Sequence, residues 1–211
     1  MRDKDSVFEK TYRDYLSRIA GMDVRSVAEP LGGRVEGAGI RIPLFGEFYT
    51  ISKNGIADVN GKQPHLDVCV ILSKYLLLCP SAEPRGSDWA SYRDLKDSGP
   101  LTVFFSHDVE QAIAEHFRGK LAALKEACEN IGGYRPDMDV SHDLSMQFDA
   151  LPRVPLLLIF NDADDEFPAR ASVLFERRSE SYLDPESLAM AGRLLFTYLK
   201  RAAKFEILTV S

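Results

Sequence analysis

Apolar residues recur at helical spacing in four stretches of this chain, which predicts about four helices. The first stretch covers residues 6–20, and a middle one covers residues 109–131. The stretch near 65–78 is apolar on nearly every face, so its helix must be surrounded by other elements. The last stretch, near 185–203, carries one apolar stripe and follows Asp184, a favourable capping residue. This last helix is therefore predicted to have a well-defined start and to pack on the core.

Two other regions combine shorter apolar runs with the turn residues of β-hairpins. One lies near 40–59, where Asn54-Gly55 is the dipeptide that best accommodates the two positive φ angles of a type I′ turn. The other lies near 144–175, where Leu156–Phe160 has no polar residue and is predicted to be an interior strand covered on both faces. A further apolar run, Leu101–Phe105, is predicted to form a short strand.

Length and composition fit a single α+β domain over residues 1–211, with a mostly antiparallel sheet and helices packed on it. Hydrophobic residues make up 45% and charged residues 27%, the balance of a folded globular protein. The formal net charge of −6 disfavours nucleic-acid binding, because affinity for phosphates needs clustered Lys and Arg. No apolar stretch reaches the ~20 residues that span a bilayer, and no secretory signal follows Met1. We therefore expect a cytoplasmic protein without a membrane or nucleic-acid partner.

An acidic cluster, Asn161–Glu166, stands between two apolar runs. A calcium loop starting at Asp162 would need Gly at its sixth position and Glu at its twelfth, where this chain has Phe167 and Val173. The histidines and the three widely spaced cysteines do not have the spacing of a zinc site. The cluster is therefore predicted to be a solvated hairpin turn, and no metal or cofactor is assigned.

Catalytic motifs with a defined spacing are missing from the sequence, which has no Gly-x-Ser-x-Gly elbow, phosphate-binding loop or dinucleotide turn. No catalytic residue is therefore assigned, and a binding role is favoured over an enzyme. Adjacent carboxylates can raise one another's pKa, so Asp165 and Glu166 are the candidate acid/base groups of a hydrolase-like alternative. Arg153 would then be the electrostatic stabiliser.

Aromatic, guanidinium and carboxylate groups in three predicted loops are the candidate binding residues: Trp89, Tyr92, Arg93, Arg153, Asp165, Glu166 and Phe167. If these loops meet at a common rim, Arg93 or Arg153 can hold an anionic group beside an aromatic wall. The same arginines can instead pair with the carboxylates and simply join two loops. The sequence leaves both interpretations open.

Five motifs carry a family resemblance: Gly86-x-x-Trp89-x-Ser91-Tyr92-Arg93-Asp94-Leu95, Leu151-Pro152-Arg153-Val154-Pro155-Leu156, Asp165-Glu166-Phe167-Pro168, Leu174-Phe175 and Tyr182-Leu183-x-x-Glu186-x-Leu188-Ala189. As a set they resemble a prokaryotic family known as domain of unknown function 3786, over most of the chain. The resemblance implies no reaction. The resemblance does imply a biological context. Members occur largely in anaerobes, and some carry an iron–sulfur-binding segment of the kind seen in corrinoid and acetyl-CoA pathway proteins. This chain has no cysteine-rich segment before the domain, so an iron–sulfur or corrinoid role would need a partner protein.

Three functions are compatible with these observations. The first is a binding or accessory module whose Arg/aromatic pocket takes a small anionic ligand, a cofactor or a partner protein. The second is the hydrolase-like enzyme that uses Asp165 or Glu166. The third is a structural domain that self-associates.

Overall fold

The computed structural model describes residues 2–138 and 142–204, and it contains two separate four-stranded antiparallel sheets. The first sheet has the order β1-β2-β3-β4, with β1 (Arg34–Glu36), β2 (Gly39–Leu44), β3 (Glu47–Ser52) and β4 (Gly55–Ala57). The second has the order β5-β8-β7-β6, with β5 (Trp89–Ser91), β6 (Leu144–Leu151), β7 (Val154–Asn161) and β8 (Arg170–Glu176). The predicted α+β class is confirmed, and each predicted hairpin belongs to a different sheet.

The first sheet contains a type I′-like turn at a different dipeptide from the predicted one. Ser52 pairs with Gly55, so Gly55 is a strand residue, and of the dipeptide Asn54-Gly55 only the glycine has a positive φ angle. The two positive φ angles occur instead at Phe45 (47°) and Gly46 (79°), between the paired residues that end β2 and begin β3. Phe45 adopts this conformation because its ring is buried against Tyr198 and its N–H donates to a carbonyl of β6.

The second sheet confirms the predicted roles of its strands. β7 lies between β6 and β8, and its side chains Leu156–Leu158 and Phe160 are buried, as expected for an interior strand. β6 is an edge strand, and β5 forms the other edge by pairing with only the last three residues of β8. The first four residues of β8 therefore have β7 as a neighbour on one side and no strand on the other.

The helices are α1 (Arg2–Ala20), α2 (Leu66–Leu77), α3 (Thr102–Phe105), α4 (Ala112–Phe117), α5 (Leu121–Asn130) and α6 (Pro185–Lys204). α6 begins as predicted, because Asp184 accepts the N–H of Ser187. It packs against α2, α5 and the segment that contains α3. The predicted strand at Leu101–Phe105 is wrong, because this run is helical and its buried ring, Phe105, lies against Gly192 of α6.

The predicted helix over 109–131 is also interrupted. A π-helical segment, Ser106–Gln111, joins α3 to α4, and the chain then turns at Gly119, with a φ angle of 69°, before α5 begins. Buried side chains from both sheets and from the helices belong to one hydrophobic cluster. Among the described residues, no helix has the length and apolar character required to cross a membrane.

Candidate functional site

The predicted residues Trp89, Tyr92 and Arg93 occupy the edge strand β5 and the turn after it. Trp89 begins the strand, whereas Tyr92 and Arg93 lie in a short 3-10 turn where the chain leaves β8. The Tyr92 ring is buried and stacks on Phe105 with 4.3 Å between ring centroids, and its hydroxyl donates to the carbonyl of Pro185. The Tyr92 side chain is therefore held in place by ring stacking and a hydrogen bond, whereas the Arg93 side chain is exposed.

Arg153 lies in the turn between β6 and β7 and is held by three hydrogen bonds. Its Nε donates to the Pro30 carbonyl at 3.1 Å, and its NH1 donates to Glu83 at 3.0 Å. Its backbone N–H donates to the hydroxyl of Tyr75 at 3.1 Å. The proposed pairing of Arg153 with Asp165 or Glu166 is wrong, because the loop that contains Glu83 supplies its carboxylate partner.

The acidic cluster forms the turn between β7 and β8, as predicted. The carboxylates of Asp162 and Asp164 accept backbone hydrogen bonds that stabilise this turn. Asp162 Oδ1 accepts the N–H of Gly119 at 2.7 Å, which joins the turn to the loop before α5. Asp164 accepts the N–H groups of Phe167 and Glu166, and these two bonds lower its pKa. Asp165, Glu166 and Phe167 are exposed at the tip. Within residues 2–138 and 142–204, no three His, Cys, Asp or Glu side chains are placed to hold a metal ion.

The strand register separates the predicted site residues into two distant groups. Arg153 precedes the first residue of β7, and Trp89 pairs with the last residue of β8, at the same end of the sheet. Asp165 and Phe167 lie beyond the opposite end of β7. Eight strand residues span roughly 23 Å at ~3.3 Å per residue. The expected common rim of the Trp89 loop and the acidic turn therefore does not exist.

Arg93 and Tyr92 instead line a cavity of about 290 Å³ on the open edge of β8. The other lining residues are Ser91, Thr102, Phe105, Ser106, Glu110, Ser172 and Leu174. The cavity forms where β5 ends and the chain leaves the edge of β8, so that the π-helical segment and α4 lie against the remaining edge. One wall is apolar, from Tyr92, Phe105 and Leu174, and the rest carries hydroxyl groups, one carboxyl and one guanidinium.

Glu110 provides the carboxyl group of this cavity. Its Oε1 accepts the backbone N–H of Val173 at 3.1 Å, and its second oxygen has no hydrogen-bond partner among the described residues. Burial raises the pKa of Glu110 above its ordinary value, while the Val173 N–H and the charge of Arg93 act in the opposite direction. A half-satisfied carboxyl group in a cavity is a feature that binding and catalytic sites share.

Arg93 provides the guanidinium, and it has no ion pair or side-chain hydrogen bond to any residue that the structure describes. The salt bridges of Arg153, Arg177, Arg178 and Arg193 all have an N···O distance within 4.0 Å, and Arg93 has no such partner, Glu110 included. Five N–H donors in a fixed planar arrangement are therefore available at the cavity.

The π-helical segment Ser106–Gln111 places two of the polar groups. Ser106 and Glu110 both line the cavity, and Val109 of the same segment is buried. Single π-helical turns inside α-helices are rare and occur frequently at functional sites. The segment therefore anchors one apolar side chain in the core and directs a carboxyl group to the edge of β8.

Sequence reasoning missed Glu110, Ser106 and Ser172, and it placed Phe105 in a strand. An acidic residue directly after Val109, within the apolar stripe of a predicted helix, was the one available signal. The π-helical insertion that rotates this residue toward β8 has no recognisable sequence pattern.

A wider cleft of about 630 Å³ lies between the Phe45-Gly46 turn and the end of α6. Three of its polar side chains, Glu47, Tyr198 and Arg201, already have partners. The Tyr49 hydroxyl donates to Glu47 at 2.7 Å, and the guanidinium of Arg201 lies 5.6 Å from the Tyr198 ring centroid. The cavity beside Glu110 is therefore the better candidate for a ligand site.

Comparison with protein families found a match to the model described as Domain of unknown function (DUF3786), over residues 23–198. The matched range includes every residue that lines the cavity. Comparisons with curated proteins and with solved structures found no match.

Proposed function

We propose that this chain, which belongs to the DUF3786 family, is a binding module for a small ligand that carries an oxyanion, such as a carboxylate or phosphate group. The cavity between β5, β8 and the π-helical segment is the binding site. The observation that carries this proposal is Arg93, a guanidinium without an ion pair among the described residues, beside a cavity rich in hydroxyl groups.

The chemistry of the lining suits an oxyanion with a small body. Arginine binds carboxylate and phosphate groups with two parallel N–H donors, which gives both affinity and a fixed orientation. The exposed hydroxyls of Ser106 and Ser172 can donate to the same group or to a neighbouring polar atom. A volume of about 290 Å³ is just below the ~300–1,000 Å³ range of ligand pockets, so the ligand is small.

Thermal unfolding in the presence of a probe panel tests this function. The panel contains small mono- and dicarboxylates, inorganic phosphate and sulfate. A probe at 100 times its dissociation constant stabilises the fold by ~2.7 kcal/mol, which corresponds to several degrees in Tm at about 2–4 °C per kcal/mol for this size. We expect at least one probe to raise the Tm of the wild-type protein and to leave the Tm of Arg93→Gln unchanged.

Arg85→Gln is the matched control, because Arg85 is an exposed arginine of the loop before β5 and does not line the cavity. The control variant should respond to the same probe as the wild type does. The proposal is wrong if no probe shifts the Tm, or if the shift persists in Arg93→Gln.

The hydrolase-like alternative has less support, because Asp165 and Glu166 are exposed and lie at the far end of β7 from Arg153. Self-association stays a prediction that light scattering at high concentration tests. The observation that best supports self-association is Val103 on α3, whose side chain is 81% exposed beside the partly exposed Phe104. An iron–sulfur or corrinoid protein partner rests on the resemblance alone.

We also propose that the whole chain works as one domain, because side chains of both sheets belong to one hydrophobic cluster. A single cooperative transition, with coincident midpoints by circular dichroism and fluorescence, is the expected result. Two separate transitions would contradict it.

A further inference from the structure

The cavity beside β8 holds two opposite charges that do not neutralise each other directly. Arg93 and Glu110 both line it, and no nitrogen of Arg93 lies within the 4.0 Å salt-bridge distance of the Glu110 carboxylate. Burial raises the pKa of Glu110, and the charge of Arg93 acts in the opposite direction by favouring the ionised carboxylate. A separated pair of opposite charges facing one small volume is complementary to a ligand that carries both charges itself.

We propose that the ligand is a small zwitterion with a carboxylate and an ammonium group, as in an α-amino acid. The proposal rests on the proposed function and specifies the ligand class of the same site. The ligand carboxylate binds Arg93, and its ammonium group donates to the oxygen of Glu110 that does not accept the Val173 N–H.

The charge balance of the cavity distinguishes a zwitterion from simpler ions. A plain carboxylate bound to Arg93 places a second negative charge beside Glu110, and it leaves the free oxygen of Glu110 without a donor. A plain amine bound to Glu110 meets the positive charge of Arg93 and leaves the guanidinium unpaired. Glu110 is partly buried, so its oxygen without a donor carries a desolvation cost when a plain carboxylate binds, and repulsion from Arg93 opposes a plain amine. Each simpler ion therefore binds more weakly than the molecule that has both groups.

The remaining lining suits the body of such a molecule. The ring of Phe105, held by its stack on Tyr92, and the side chain of Leu174 form an apolar wall for a short side chain. Ser106 and Ser172 add hydroxyl groups that can select a polar side chain. The volume of about 290 Å³ favours a single small amino acid over a peptide.

The test is isothermal titration calorimetry of the full chain with matched triplets. Each triplet contains an L-amino acid, its deamino carboxylate and its decarboxylated amine, for example alanine, propionate and ethylamine or leucine, 4-methylpentanoate and isopentylamine. We expect at least one amino acid to bind at least tenfold more tightly than both of its analogues. Glu110→Gln should lower the affinity for that amino acid, because the ammonium group loses its charged partner. The deamino carboxylate should bind this variant at least as tightly as it binds the wild type, because the negative charge of Glu110 is removed.

Glu129→Gln, at an exposed position on α5, is the matched control and should bind the amino acid as the wild type does. If carboxylates bind through Arg93 as tightly as the corresponding amino acids, the zwitterion proposal is wrong and the proposed function stands. If Glu110→Gln binds the amino acid as tightly as the wild type, the assigned role of Glu110 is also wrong. If nothing binds in an Arg93-dependent manner, both proposals are wrong.

Discussion

Glu110 on the π-helical segment accepts a hydrogen bond from the backbone N–H of Val173 on β8, with 3.1 Å between the two atoms. The strand β5 pairs with β8 only from Leu174 onward, so no neighbouring strand accepts this N–H. The carboxyl group of Glu110 thus accepts a hydrogen bond that a neighbouring strand would otherwise accept at the edge of the sheet. This arrangement brings an ionisable group into the cavity and links the stability of the fold to the candidate site.

Glu110→Gln should change how the stability of the protein depends on pH. Burial raises the pKa of Glu110 in the folded state, so between its ordinary value of 4.5 and the raised value the native state binds more protons than the unfolded state. This group therefore makes the wild type lose stability as the pH rises through that window. Glutamine has no such titration and still offers an oxygen to Val173. Urea unfolding from pH 4 to pH 8 should show the variant gaining stability relative to the wild type as the pH rises.

Glu110→Ala separates the charge of this residue from its hydrogen bond. The Val173 N–H loses its partner, which should cost ~1–3 kcal/mol for a group that water cannot fully reach. A Glu110→Ala variant as stable as Glu110→Gln at pH 7 would contradict a structural role of the bond to β8.

Gly192→Ala should destabilise the fold although alanine is the better helix former. A Cβ at this position of α6 would lie 2.5 Å from Cε2 and 2.9 Å from Cζ of Phe105. Overpacking costs ~1–3 kcal/mol, which exceeds the gain of up to ~1 kcal/mol in helix propensity. Chemical denaturation measures the loss. Adding Phe105→Leu should recover part of it, and strictly additive effects of the two substitutions would show that the residues do not contact.

Asp184 should contribute to stability through two separable interactions at the start of α6. It accepts the N–H of Ser187 at 2.9 Å and the ammonium group of Lys74 at 2.5 Å. Burial acts to raise its pKa, but these bonds outweigh burial and hold the pKa below 3.8. The ionised Asp184 therefore stabilises the fold fully above pH 3.8. This stabilisation is lost as the pH falls through the lowered pKa of Asp184 in the folded state.

Asp184→Asn keeps the cap and removes the charge, whereas Asp184→Ala removes both. The alanine variant should lose ~1 kcal/mol more than the asparagine variant, the usual value of a helix cap. Thermal unfolding at pH 7 compares the two variants. Equal losses would show that the cap contributes nothing.

Tyr75→Phe should weaken the connection between the segment before β1 and the turn between β6 and β7. The buried Tyr75 hydroxyl donates to the Leu31 carbonyl at 2.8 Å and accepts the Arg153 N–H at 3.1 Å. Phenylalanine leaves both groups without this partner, at a cost of ~1–3 kcal/mol. Chemical denaturation of the variant should show a lower midpoint than the wild type and an unchanged m-value.

Substitution of the exposed turn carboxylates should have almost no effect. Asp165→Asn and Glu166→Gln, alone or together, alter side chains at the tip of the β7–β8 turn, away from the cavity. The stability change should stay within ~0.5 kcal/mol, and ligand binding should be unchanged. By contrast, Asp162→Ala should destabilise, because Asp162 accepts the N–H of Gly119. A large effect of the exposed pair on ligand binding would instead support the acid/base alternative.

Local patterns in the sequence were sufficient for much of the fold. The interior position of β7, its hairpin with β8 and the start of α6 were predicted correctly, because each depends on neighbouring residues. A fully apolar strand needs cover on both faces, and Asp184 before Pro185 satisfies the first turn of a helix. The family resemblance is also confirmed by the match over residues 23–198.

Patterns without a clear period were not sufficient. The run Leu101–Phe105 has too few polar residues to show whether its period is that of a strand or a helix, and its packing against Gly192 of α6 selects the helix. The positive φ angles of Phe45-Gly46 likewise depend on the buried ring contact with Tyr198 and on a hydrogen bond to β6. Long-range packing overrides local preference at both positions.

The sequence by itself determined the hairpin of β7 and β8, the start of α6 and the residue types that are available for binding, Arg93 and Tyr92 among them. Only the tertiary structure decided which of those residues meet. Strand register placed Arg153 and the acidic turn at opposite ends of β7, and the π-helical turn brought Glu110 to the edge of β8 beside Arg93. The reason is physical: spacing along the chain specifies local backbone geometry, whereas a site is formed by contacts between segments that are far apart in the sequence.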